Sequence, residues 1–262
     1  MKALIKYLKN RKASINTVLS KPRRKYTPDT FHKLRIEIKK LNALFDLINF
    51  CSKDFKRKKT FKPFKLIFQQ AGKVRELQLH EVMLRRYLTG NTLSNYRYRI
   101  KKIRLKEQDE FFLLIKSKCI KRLKKKYHVI SHQLNKINIK KAVIYLEKKK
   151  NLINKLLDTD RLEPEQIHEL RKRLKKLNYS MKFLSLEKQD KQFLEKNIIS
   201  GLIGKWHDCQ VLTSHLEKAE KDLNINSNEI NELEKVRMKI VKNSELLLSK
   251  INAAILEHEH SE

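Results

Sequence analysis

The chain has 262 residues and a formal net charge of +33, with 62 lysines and arginines against 29 acids. This is far more positive charge than solubility needs, and the self-repulsion implies a large polyanion as partner, with nucleic acid, an anionic membrane surface and a phosphate polymer all left open. An apolar content of 40% excludes a disordered chain, and four glycines with four prolines leave too few turn-formers for a sheet, so the composition implies an all-α fold.

Taken in order, the apolar period predicts a first helix from Lys2 to about Leu19, stopped near Lys21-Pro22. A second runs from about Pro28 to Phe50, and the lysine-dense SKDFKRKKT after it reads as a solvated loop carrying Lys53, Lys56, Lys58 and Lys59. A third, from about Phe61 to Leu88 with Phe64, Ile67, Phe68 and Leu77 as core, ends at Gly90-Asn91. Gly72 inside it costs about 1 kcal/mol relative to Ala, which implies close packing or the close approach of a ligand.

The fourth helix, from about Thr92 to Leu134, is the most basic. Its Tyr96-Arg97-Tyr98-Arg99 run has the composition of a base-stacking surface, but neighbours on a helix point to different sides, which favours tyrosines that pack and arginines that reach solvent. A fifth helix spans about Ile139 to Leu157, and the turn DTDRLEP leads into a sixth from Pro164 to Leu186. A seventh from about Asp190 to Lys221, the polar link LNINSN and an eighth from about Glu229 to His258 complete the chain.

The second and sixth helices are one stretch written twice. TPDTFHKLRIEIKKLNALF and EPEQIHELRKRLKKLNYSM share Pro, His, Leu, Arg, Lys-Lys-Leu and Asn, with His32 and His168, Arg35 and Arg171, and Lys40 and Lys176 each 136 residues apart. Pro28 and Pro164 suit the first helical position, and Asp29 and Glu165 suit the positive end of the helix dipole. At 3.6 residues per turn, Leu34, Ile38, Leu41, Phe45 and Ile48 form one stripe, with His32, Arg35 and Lys39 nearly opposite. Leu170, Leu174, Leu177 and Met181 stand in the same relation to His168, Arg171 and Lys175. The pattern implies an internal duplication, with repeats of about 1–135 and 138–260, four helices in each. The expected architecture is two antiparallel four-helix units, eight helices in all, packed through their apolar stripes.

These residues resemble the CHAD family, whose signature is a His-x-x-Arg-x-x-x-Lys/Arg-Lys/Arg-Leu helix present in two halves, here HKLRIEIKKL and HELRKRLKKL. A weaker pair, AGKVRELQLHEVML from Ala71 and IGKWHDCQVLTSHL from Ile203, is similar to the family's Gly-x-x-Arg-Asp-x-Asp-Val segment, with Gly72 and Gly204 132 residues apart. Here the family's Arg-Asp is Arg75-Glu76 and His207-Asp208, and its second Asp is Gln78 or Gln210. The resemblance covers nearly the whole chain as a single domain, residues 1–262. It implies that the chain binds inorganic polyphosphate, and an association with polyphosphate granules is a family-level expectation.

Like charges three and four residues apart destabilise an isolated helix by a few tenths of a kcal/mol per pair, so repeating the arrangement implies a compensating anion. The expected binding residues are His32, Arg35, Lys39 and Lys40, then His168, Arg171, Lys172, Lys175 and Lys176, with Lys73, Arg75, Lys205 and His207 contributed by neighbouring helices. Arginine offers a planar fork to phosphate, lysine a point charge, and histidine a pH dependence. Glu76 and Asp208 read as residues that orient those cations. One acid per half, with no second carboxylate at a metal-clamping spacing, gives a poor hydrolase site, so no catalytic residue, metal or cofactor is expected. His128 and His132 lack a third ligand, and Trp206 reads as core.

The alternative reading is a sequence-independent RNA- or DNA-binding module that uses the fourth helix. Cys51, Cys119 and Cys209 are scattered, without a Cys-x-x-Cys pair, which fits a reducing cytoplasm. Lysines interrupt the apolar residues of the N-terminus, and no apolar run is long enough for a bilayer span, so no membrane insertion is expected.

Overall fold

The structure is a computed structural model that describes residues 2–88, 92–159, 162–184, 192–221, 225 and 227–259. Over these residues the fold is all-α. The helices are α1 (Lys2–Leu19), α2 (Pro28–Cys51), α3 (Arg57–Tyr87), α4 (Ser94–Leu114), α5 (Ser117–Leu134), α6 (Ile139–Leu157), α7 (Pro164–Leu184), α8 (Gln192–Glu220) and α9 (Ser227–Glu259), with a 3-10 turn at Arg23–Lys25. Several expected features lie outside the described residues: the Gly90-Asn91 stop, part of DTDRLEP, the end of the sixth helix at Leu186, the start of the seventh at Asp190, and half of LNINSN.

Nine α-helices are described where eight were expected, because the basic fourth helix is two. Phe111 and Ile115 are buried before the break, and Leu123, Tyr127, Ile130 and Leu134 after it. In one straight helix Phe111 and Leu123 would point about 120° apart. The break at Ile115–Lys116 resets the phase so that both sets face apolar neighbours.

The third helix begins earlier than expected, inside the lysine-dense stretch. Arg57 Nη2 meets Asp46 Oδ1 at 2.5 Å and Asn42 Oδ1 at 2.8 Å. Thr60, buried, donates its hydroxyl to Lys56 O at 3.0 Å. Tertiary anchoring thus extends the helix into a lysine run that its composition alone assigns to solvent, and Lys58 and Lys59 are helical.

Two compact units share the chain. One comprises Met1–Arg75, Leu105–Asn151 and Lys176–Asp190, the other Glu76–Arg104, Leu152–Lys175 and Lys191–Glu262. The sequence repeats are consecutive, whereas the units interleave. The 31 residues of α3 extend about 46 Å at 1.5 Å per residue, longer than a small domain is wide, so one helix supplies residues to both cores.

The core of the first unit is aromatic. Phe31 and Phe111 pack edge-on at 5.0 Å, Phe45 touches Phe61 at 5.3 Å, and Phe64 meets Tyr127 at 5.3 Å. Such edge-to-face pairs add to the burial of large rings. The core of the second unit is mostly aliphatic, with Leu84, Ile100, Leu212, Leu216, Leu233 and Ile240 among its members. Among the described residues no helix is long and apolar enough to cross a membrane.

Candidate functional site

The two signature helices start alike. Thr27 caps α2, its hydroxyl accepting from Thr30 N while Thr27 N donates back to Thr30 Oγ1 at 3.1 Å. At α7, Glu163 N donates to Gln166 Oε1 at 2.8 Å, the corresponding back-bond. Pro follows the cap residue in both and removes one N–H that would have no partner within the helix. The apolar stripes are buried as the period requires: Leu34, Ile38, Leu41, Phe45 and Ile48 on α2, and Leu170, Leu174, Leu177 and Met181 on α7. This burial holds the cationic faces outward.

In the first unit, α2 presents an exposed His32 with half-buried Arg35 and Lys39. Arg35 is held in place: Nη1 donates to Phe68 O at 2.8 Å, and Cζ lies 4.2 Å from the Phe68 ring centroid. Lys39 Nζ lies 5.8 Å from the same ring. Phe68 is therefore half-buried, and serves as a platform for two cations instead of the core residue expected from its spacing. Phe68, Gly72 and Arg75 share one face of α3 at helical spacing, which is the signal that could have revealed this.

Desolvation of its ring, with the charges of Arg75, Lys39 and Arg35, holds the His32 pKa below the ordinary histidine value against the pull of Asp29. Lys73 is exposed, and its Nζ is 3.3 Å from Glu107 Oε2. Arg75 is half-buried. So Arg35, Lys39 and Arg75 surround His32 electrostatically, and Lys73 is drawn to a carboxylate.

In the second unit, the His168 ring packs on Trp206 at 4.9 Å and on His207 at 5.0 Å, the latter nearly perpendicular. Burial, then Arg171 and Lys172, lower the His168 pKa, with Glu165 opposing. Burial and Arg171 also lower the Lys175 pKa, and Asp208 opposes them. Trp206 is core, at 2% exposure. Lys205 is exposed, and the exposed Lys172 lies 3.8 Å from Glu169.

Besides Lys73 and Lys172, two further expected binding residues hold carboxylates, and these two are counterparts. Lys40 Nζ binds Glu37 Oε1 at 2.9 Å, and the same carboxylate takes Arg11 at 2.6 Å. Lys176 Nζ binds Asp46 Oδ2 at 3.0 Å. The second lysine of each Lys-Lys pair is thus tied to a largely buried carboxylate.

Other expectations change as well. Glu76, expected to orient a neighbouring cation, has its Oε1 2.6 Å from His215 Nε2. A Cβ on Gly72 would collide with Arg35 Nη1, whereas one on Gly204 would meet no described atom within 4 Å, so the two glycines do not share a role. Tyr96 packs at 4% exposure, but Tyr98 stands 67% exposed. Among the described residues no three His, Cys, Asp or Glu side chains form a group able to hold a metal ion.

The profile of the CHAD domain family matches residues 13–217. In structure the chain is similar to the crystal structure of the CHAD domain from the plant Ricinus communis, with a TM-score of 0.76 and 13% identity over 97% of this chain and 90% of that one. It is also similar to PptA from Streptomyces chartreusis, with a TM-score of 0.62 and 10% identity over 99% of this chain and 98% of that one. No curated protein matches the chain in sequence.

Proposed function

The chain belongs to the CHAD family, and from that premise we propose that it binds a linear phosphate polymer, inorganic polyphosphate, without turning it over. One observation carries this reading: the same His, Arg and Lys stand on the outward face of two helices 136 residues apart. Each set has its histidine pKa lowered by burial first and by neighbouring cations after it. Such a face is electrostatically unfavourable when empty and favourable with phosphate on it.

Arg35 is pre-positioned by Phe68, which limits the side-chain entropy lost when an anion arrives. Lys39 and Lys175 supply charges that tolerate sliding along a polymer. With a net charge of +33 behind these contacts, binding is sequence-free, multivalent and weakened by salt.

The test is a competition titration of long-chain polyphosphate against single-stranded RNA and duplex DNA at equal phosphate concentration, with a variant carrying Arg35, Lys39, Arg171 and Lys175 changed to Ala. Polyphosphate should win, and the variant should lose most of that preference. Equal competition by nucleic acid, with the variant binding as well as the parent, would favour the general nucleic-acid module instead. Orthophosphate release on adding Mg²⁺ or Mn²⁺ would overturn the non-catalytic part of the proposal.

A further inference from the structure

The tyrosine-arginine run of α4 plays no part in the proposed polymer site. It borders a cavity of about 360 Å³ built by α3 and α4 within the second unit. Leu84 and Ile100, at 1% and 7% exposure, form an apolar floor. On one wall Glu81 Oε1 accepts from Arg104 Nε at 2.8 Å, so this lining carboxylate is already matched by its own arginine. Arg85 from α3 and Lys101 from α4 stand exposed at the opening, and neither has a carboxylate partner among the described residues. Beside them Tyr98 is 67% exposed, a large ring left in water at the edge of an apolar surface.

We propose that this cavity takes a nucleoside polyphosphate, its base stacked on Tyr98 over the apolar floor and its phosphates on Arg85 and Lys101. A bare phosphate chain has no use for an aromatic ring and two aliphatic side chains. A lipid tail needs a longer apolar channel than two side chains provide. The volume lies at the lower end of the range for small-ligand cavities, about 300 to 1,000 Å³. The paired Glu81 and Arg104 leave the net charge of the opening positive, as a polyphosphate headgroup requires.

The site shares no residue with the signature helices, so it stands or falls separately from the polymer reading. The test is calorimetric titration of the full chain in about 150 mM salt, where charges more than about 8 Å apart are screened. The probes are ATP, tripolyphosphate and adenosine, against the parent, Tyr98→Ala, Arg85→Gln with Lys101→Gln, and Arg35→Ala with Arg171→Ala. ATP should bind more tightly than tripolyphosphate or adenosine. Tyr98→Ala should weaken ATP about tenfold or more, as expected for a lost base-aromatic stack, and leave tripolyphosphate unchanged. The Arg85 and Lys101 pair should weaken ATP, and the Arg35 and Arg171 pair should leave ATP affinity intact while weakening tripolyphosphate, a short phosphate polymer.

No binding of ATP, or equal affinity for ATP and tripolyphosphate with no effect of Tyr98→Ala, overturns the proposal. If the Arg35 and Arg171 variant loses ATP together with polyphosphate, ATP sits on the signature helices and this cavity is not its site, while the polymer reading survives.

Discussion

Gly72 makes room for Arg35: the guanidinium Nη1 occupies the space a Cβ at residue 72 would fill, and Cζ would lie 3.2 Å from that atom. The arginine is thereby seated on Phe68, with one hydrogen bond to its carbonyl and the ring beneath the guanidinium. Gly72→Ala should displace the Arg35 guanidinium and weaken polyphosphate binding, and the lost seat on Phe68 should offset the gain in helix propensity. Gly204→Ala meets open space among the described residues, so helix propensity should make it stabilising, by up to about 1 kcal/mol. Thermal melts and polyphosphate titrations of the two variants check this, and Gly72→Ala as stabilising as Gly204→Ala with unchanged binding would contradict it.

The two lysines of each signature pair should separate by experiment. Lys39→Ala and Lys175→Ala should each lower the slope of log affinity against log salt by about one unit, the effect of one lost phosphate contact. Lys40→Ala and Lys176→Ala should leave the slope nearly unchanged, because both lysines already hold carboxylates. They should instead lower stability by up to about 1 kcal/mol each, since Arg11 and Arg57 remain on the same acids. Salt titrations of the four single variants decide it, and equal slopes for all four would refute the division.

The helical period and the proline and acid signals were enough to place α1, α2 and α6 closely, because each buries a regular stripe. They were also enough to place His32 and Arg35 opposite the core. The break between α4 and α5 was not legible, since no glycine or proline marks it and the phase shift depends on what the two segments pack against. The role of Phe68 was hidden for a similar reason: a half-buried ring beneath two cations has the same spacing as a core ring. Spacing alone shows Glu37 one turn before Lys40, but it cannot show Arg11 reaching Glu37 or Lys176 reaching Asp46 from other helices.

Polymer binding should take up protons. In the ligand-free protein burial and neighbouring cations hold His32 and His168 below the ordinary value of 6.5, so both are largely neutral at pH 7. Bound phosphate favours the charged ring and raises both pKa values. Affinity is then highest below the ligand-free pKa values and falls as pH rises through the ligand-bound ones. Affinities measured from pH 5 to 8 should show this slope in the parent, and a flatter one in His32→Gln with His168→Gln. A slope unchanged by the double variant would exclude the histidines as its source.

Stability should respond to acid in the opposite sense, chiefly through His80. This ring is 3% exposed, its Nε2 lies 3.2 Å from the Tyr96 hydroxyl, and it packs 5.2 Å from the His215 ring, whose Nε2 faces Glu76. Burial, then the charge of His215, drives the His80 pKa down to about 3, with Glu76 opposing. A histidine whose folded pKa lies below its unfolded value binds fewer protons when folded. Its contribution to stability is therefore complete above about pH 6.5 and is lost progressively as pH falls towards the folded pKa, at a limiting slope of about 1.4 kcal/mol per pH unit. His80→Gln keeps a side chain able to reach Tyr96 and removes the titration. Denaturant midpoints of the ligand-free parent should fall steeply between pH 6.5 and pH 4.5, in about the window where polymer affinity is rising. Those of His80→Gln should fall by about one proton's worth less over the same range. Parallel curves for the two proteins would mean that His80 is protonated in the fold, and that its neighbours open to water in acid.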